Sequence, residues 1–311
     1  MMQLPRDPGG FIVSSLATNP LATMKRTQTE SRWTGQPQRA DAFTLLELLV
    51  VLGTVAILAV LLAPALAASK PGGKMAQCLN GKRQLSLAWQ MYAADNSDLI
   101  LGCTSWLPNA FLDWTSASIN TNTAYLTSPV YSLLAPYNQS AAIFKCPADY
   151  YQSAANPGPR DRSVSLNGGL TGSSTGPTVE GAAPNGHYFG TGALGAGRCL
   201  RMSDLAKPGP AAVFAFLDEH PDSINDGAFM NNPGYAATAE RWRDLPASYH
   251  NGAAGFSFAD GHAEMHVWSN SGGQTAYPVL FQSYVAGAPW ATASMVHGAD
   301  YEWVEAHMPY R

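Results

Sequence analysis

Apolar residues are spread unevenly along the chain. One run, Phe43 to Ala68 (FTLLELLVVLGTVAILAVLLAPALAA), is apolar on every side of a helix, and its single charge is Glu47. From Leu48 to Ala68 there is no charge. A helix of that length rises about 30 Å, the thickness of the hydrocarbon core. Its Leu, Ile, Val and Phe side chains favour the bilayer by about 6 kcal/mol, against roughly 3 kcal/mol for a carboxylate at the bilayer centre. The run therefore predicts a transmembrane helix over 43–70, with Pro64 tolerated inside it. It is too long and begins too late for a secretory signal peptide. A plain signal anchor accounts for the apolar run but gives Glu47 no reason.

Beyond Pro71-Gly72-Gly73, read as a break in the helix, the period changes. Leu85, Ala88, Trp89 and Tyr92 follow i, i+3, i+4, i+7 spacing and form one helical face, which Met75, Cys78 and Leu79 extend. Asp95-Asn96 ends that helix. Residues 97–160 read as loops with short strands, in which Trp106, Trp114, Tyr125 and Tyr131 are packing anchors. Residues 168–198 are rich in Gly, Ser, Thr and Pro and read as a long surface loop. Ala211 to Leu217 is a continuous apolar run of strand length. Gly255 to Ala259, the turn Asp260-Gly261 and an alternating return strand predict a hairpin. Its return strand places Ala263, Met265 and Val267 on one face and His262, Glu264, His266 and Trp268 on the other. The pattern predicts one α+β domain over 71–311, a helix packed on an antiparallel sheet with long loops.

Composition narrows the function. The charged fraction is 13%, about half the usual ~25%. The net charge is -4, which argues against a nucleic-acid-binding body. Cys78, Cys103, Cys146 and Cys199 contain no C-x-x-C pair; in an exported chain they admit three disulfide pairings, and buried thiols are the alternative. Lys25, Arg26, Arg32 and Arg39 precede the apolar run and predict a cytoplasmic N-terminus. The chain is then a single-pass inner-membrane protein whose body is periplasmic or extracellular. Residues 1–40 are expected to be disordered, and Met24-Lys25-Arg26 reads as a natural start.

Ala42-Phe43-Thr44-Leu45-Leu46-Glu47-Leu48-Leu49-Val50-Val51 resembles the cleavage and methylation motif of prepilins, usually G-F-T-L-I-E-L-L-V-V. The resemblance implies a leader over 1–42, cutting between Ala42 and Phe43 by a prepilin peptidase, and methylation of Phe43. It implies that Glu47 pairs with the N-terminal amine of a neighbouring subunit, which would relieve a carboxylate in hydrocarbon. Ala42 stands where the family usually has Gly. His250 followed by nine residues and then Asp260-Gly261 matches the H-x9-DG motif (250–261) of prepilin-processing-associated domains. Three further elements are similar to those of pseudopilin-like proteins of planctomycete and verrucomicrobial bacteria. They are Cys78-Leu79-Asn80 with Arg83-Gln84-Leu85, Phe144-Lys145-Cys146-Pro147-Ala148-Asp149, and Asp300-Tyr301-Glu302-Trp303.

The family resemblance implies a pilin-like fold and a structural subunit, not an enzyme. Its partners would be the prepilin peptidase, other pilin or pseudopilin subunits and the inner membrane, in a type II secretion or type IV pilus-like filament. The alternative is a membrane-tethered surface module that binds a polysaccharide or an exported protein.

Two polar clusters carry possible chemistry. Asp218, Glu219, Asp222 and Asp226 crowd the segment after the apolar strand, and an oxygen-rich loop of this kind suits a divalent cation such as calcium. The spacing is not that of an EF-hand, and an Asx-rich turn capping its own backbone is the alternative. His250, Asp260 and His262 form the second cluster. It is read either as a hydrogen bond from His250 fixing the hairpin turn or as ligands of a metal shared with Asp218 or Glu219. Motifs for a nucleophile or a phosphate loop are absent, so no catalytic residue is assigned.

Overall fold

The computed structural model describes residues 44–103, 105–108, 112–156, 158–172, 199–230, 242, 244–269, 278–282 and 298–309; within the first helix, the side chains of 59–71 lie outside this description. The leader, the cut site at Ala42 and Phe43, and most of the expected 168–198 loop also lie outside it. The chain divides into two units, Met1–Ile57 and Leu58–Arg311.

Helix α1 runs Leu45–Asp95. In the first unit it opens with a capping box. The Thr44 backbone N–H and hydroxyl donate to Glu47 Oε2 (2.9 and 2.8 Å), and Glu47 N–H donates to Thr44 Oγ1 (3.2 Å). Such a reciprocal pair satisfies amides that the first turn leaves open. Leu45, Leu46, Leu48 and Leu49 are exposed, as are Val50, Val51, Leu52, Val55 and Ile57. Among the described residues no helix is long and apolar enough to cross a membrane; part of the expected span, 59–71, is outside them.

The break expected at Pro71-Gly72-Gly73 does not occur, because α1 continues through it. Its later turns bury Cys78, Lys82, Leu85, Ala88, Trp89 and Tyr92. Pro71 disfavours helix by about 3 kcal/mol and each glycine by about 1 kcal/mol, but the turns packed from Cys78 onward anchor the helix, and cooperative propagation carries it through this segment. The helix stops at Asp95 as expected. Asn96 Nδ2 donates back to the Tyr92 carbonyl (2.8 Å), and Ser97 and Asp98 turn the chain with positive φ.

Residues 112–156 contain the short helix α2 (Ala124–Thr127) and 3-10 turns at Ser118–Asn120 and Ala141–Phe144. No strand forms among the described residues there, contrary to expectation. Trp106 and Trp114 are buried; Tyr125 and Tyr131 are half-buried and pack on each other at 4.9 Å.

The sheet holds β1 (Val164–Asn167), β2 (Phe214–Asp218), β3 (Ala228–Phe229), β4 (Ala253–Phe258) and β5 (Ala263–Val267) in the order β3-β1-β2-β4-β5. It is mixed rather than wholly antiparallel, since β1 and β3 run parallel. The apolar run 211–217 is only partly strand: Pro210–Ala212 is a 3-10 turn, for which Pro210 lacks the N–H a ladder needs. A register shift between Phe214 and Phe216 marks a bulge in β2. It breaks the alternation, so Ala215 and Phe216 both join the core beneath α1, while Phe214 and Leu217 join the opposite one.

The α1-side core gathers Leu85, Trp89 and Tyr92 with Val164, Leu166 and Phe216. Ser86 Oγ and Gln90 Nε2 tie the helix to the carbonyls of Phe258 (2.6 Å) and Ala259 (2.7 Å). The other face packs Phe256 and Phe258 against Trp268 and against Tyr301 and Val304 of α3 (Ala299–Ala306). The β4–β5 hairpin forms as predicted, but its loop holds three residues, Ala259 to Gly261, instead of the expected two: Phe258 N–H donates to the His262 carbonyl (2.9 Å), and Gly261 takes φ +97° at the end of the turn. On β5, however, the side predicted to be apolar is not uniformly buried: Val267 is exposed, whereas His266 stacks on Trp303 at 3.7 Å. Residues 168–172, expected on a surface loop, are buried, and Gly168 N–H donates to the Phe229 carbonyl (2.8 Å). The fold is α+β.

Candidate metal centre

Four segments meet at one buried point beneath α1. Cys78 comes from the helix. Asp218 ends β2, on the side opposite Leu217. Cys146 follows the 3-10 turn Ala141–Phe144, and His250 precedes β4. One ligand atom of each lies within 4.8 Å of the others, and all four residues are buried.

Local structure explains each position. Cys78 and Lys82 are one helical turn apart and share a face. Cys146 N–H donates to Ser163 Oγ (2.8 Å), which holds the Cys-Pro turn against the residue before β1. His250 N–H donates to the Ala253 carbonyl (3.2 Å), and Asn251 and Gly252 take positive φ to make this tight turn. Gly255 of β4 supplies the clearance. A Cβ there would lie 3.0 Å from Asp218 Oδ2 and 3.1 Å from Cys78 Sγ.

The contacts fall into two pairs, with further donors on Asp218. Cys78 Sγ donates to Asp218 Oδ2 (3.0 Å), and Cys146 Sγ lies 3.1 Å from His250 Nε2. Gly255 N–H donates to Asp218 Oδ2 (3.3 Å), and Lys82 Nζ lies 2.5 Å from Asp218 Oδ1. The Cys78 thiol is held far above its ordinary range, first by its hydrogen bond to Cys146, then by burial and the Asp218 carboxylate. Burial pulls the Lys82 ammonium down, but Asp218, Cys78 and Cys146 outweigh it and the net shift is upward. Beside the cluster opens a cavity of about 360 Å³ lined by Lys74, Tyr150, Tyr249 and His250, among others.

Of the residues expected to bind a cation, Asp218 and His250 converge and the rest do not. Glu219 accepts from Ser223 Oγ (2.7 Å), and burial pushes its carboxyl up to about 8. Asp222 accepts from Trp114 Nε1 (2.7 Å) and Leu280 N–H (2.6 Å). Asp226 Oδ1 accepts from Ala228 N–H (2.8 Å). Glu219 and Asp226 satisfy donors in their own turns and Asp222 satisfies donors from distant segments, so the oxygen shell expected for calcium is not assembled from them. Asp260 and His262 pair with each other at 2.6 Å on the hairpin turn, with both side chains over a third exposed. His250 therefore does not bond Asp260 to fix the turn; it faces Cys146.

Cys78, Cys146 and Lys82 are the site residues that sequence reasoning missed. Cys78 and Lys82 carried a usable signal, their i, i+4 spacing on the buried helical face. None of the four cysteines forms a disulfide. Two sulfurs, one imidazole nitrogen and one carboxylate oxygen make a donor set suited to a tetrahedral transition ion. No family model, no curated protein and no solved structure matches this chain.

Proposed function

We propose that the chain is a pilin- or pseudopilin-like structural subunit, cut between Ala42 and Phe43 and assembled through its N-terminal helix into a type II secretion or type IV pilus-like filament at the inner membrane. The observation that carries this reading is the start of α1. From within the prepilin-like motif onward, Leu45 to Ile57 forms helix with its large apolar side chains exposed. Apolar surface of this extent needs lipid or neighbouring helices to cover it. Later turns of the same helix bury their apolar face in the body, which supports a division between an assembling half and an anchoring half. Mass spectrometry of the protein isolated from membranes tests the reading. A mature chain beginning at N-methylated Phe43 is expected, and an N-terminus that retains residues before Phe43 sinks it.

A membrane-tethered binding module is the second reading. The cavity at Tyr150 and Tyr249 favours it, because Tyr150 is exposed there and a tyrosine-lined recess suits sugar or peptide contacts. Replacing both tyrosines with alanine would abolish ligand retention under this reading and leave filament assembly untouched under the first.

A further inference from the structure

We propose that Cys78, Cys146, Asp218 and His250 bind one Zn²⁺ ion that fastens α1 to the body. This goes beyond the filament reading and does not depend on it.

The donor types argue for zinc. Two thiolates and an imidazole are soft or borderline ligands, and a single carboxylate oxygen completes a set of four. Calcium needs six to eight oxygens and would find one residue of the right kind. Bond lengths of about 2.0–2.3 Å imply tetrahedral ligand-to-ligand edges of about 3.3–3.8 Å. The short pairs at 3.0 and 3.1 Å and the outer limit of 4.8 Å bracket that range.

Charge balance argues the same way. Zn²⁺ with two thiolates and one carboxylate leaves one negative charge, and Lys82 cancels it from within hydrogen-bond reach of Asp218 Oδ1. Binding converts both thiols to thiolates, and their two protons pass to solvent. A Cys78–Cys146 disulfide fits less well. It would remove the S–H that Cys78 donates to Asp218 Oδ2, and leave a buried carboxylate oxygen facing a sulfur lone pair. The four ligands come from four segments far apart in sequence, so one ion cross-links the helix, the Cys-Pro turn, β2 and the loop before β4.

The test uses the full chain purified in detergent without air or chelator. Elemental analysis should find about one zinc per chain, and Cys146→Ser and His250→Ala should each lower it at least tenfold. Cobalt reloaded into the stripped protein should give intense tetrahedral ligand-field bands and a thiolate-to-cobalt charge-transfer band. Because a variant can fail to fold, thiol alkylation of the unmodified protein gives a second readout. Chelator should speed labelling of Cys78 and Cys146 at least tenfold, with Cys103 and Cys199 reporting any general unfolding. Metal-free protein that takes up neither zinc nor cobalt overturns the proposal, and so does a Cys78–Cys146 disulfide in the mapped peptides.

Discussion

Lys82 Nζ lies 2.5 Å from Asp218 Oδ1, and their side chains are 1% and 0% exposed. Two charges have been taken out of water together, one from the later turns of α1 and one from the end of β2. Their attraction offsets desolvation only while both are present. Lys82→Met leaves the Asp218 carboxylate buried without its cation. The expected loss is about 3–5 kcal/mol of unfolding free energy, the range for breaking a buried pair from one side. Denaturant titration in detergent measures it. The double variant Lys82→Met with Asp218→Leu should lose less than the sum of the single variants, because neither charge is then stranded.

Gly255→Ala tests how tightly the same site is packed. Its new Cβ would meet Asp218 Oδ2 at 3.0 Å and Cys78 Sγ at 3.1 Å, and both atoms are held by other contacts. Overpacking of this kind costs about 1–3 kcal/mol. A lower thermal midpoint and faster alkylation of Cys78 than of Cys199 are expected. Unchanged values for both would mean that the site yields easily.

These residues show what can be read from sequence and what cannot. The helical face through Leu85, Trp89 and Tyr92 was legible because packing repeats at the helical period. The hairpin was legible because Asp260-Gly261 marks a turn between two strand-like runs, but its three-residue loop, with Gly261 at φ +97°, was not. Lys82 lies on the same helical face, yet a lysine there reads as solvent-facing until a buried carboxylate is placed beside it. The bulge at Phe214–Phe216 shifts the parity of β2, and an unbroken apolar run carries no sign of it. Asp218 and His250 were legible as ligand types, but their partners were not. Cys78 meets Asp218 and Cys146 meets His250 across more than a hundred residues of sequence, and only tertiary structure brings them together.

Asp161 sets a pH dependence of its own. Burial raises its carboxyl from 3.8 to about 6, against the lowering influence of Arg162, Arg160 and Lys145. The folded chain thus holds this proton more tightly than the unfolded chain. Its contribution is fully present below the unfolded value of 3.8 and is lost as pH rises through about 6. A shift of that size corresponds to about 3 kcal/mol at most. Asp161→Asn should therefore flatten the fall in stability between pH 4 and 6 and raise stability at pH 7. Denaturant midpoints across that range check it; a slope unchanged by the substitution would remove Asp161 as its source.

Glu47 has one role in the structure and a separable one in the proposed filament. In the capping box its carboxylate accepts the backbone N–H and hydroxyl of Thr44, at 2.9 and 2.8 Å. In the filament reading its negative charge pairs with the amine of a neighbouring subunit. Alanine removes both, so Glu47→Ala alone cannot tell them apart. Glu47→Gln can, because glutamine also serves at this position of a capping box but carries no charge. If charge pairing drives assembly, Glu47→Gln should abolish filament incorporation while the amides of Thr44, Glu47 and Leu48 keep their hydrogen-exchange protection. Glu47→Ala should lose both. Wild-type incorporation by Glu47→Gln, measured by cross-linking in membranes, would reduce Glu47 to a cap and leave the apolar face of α1 as the assembling surface.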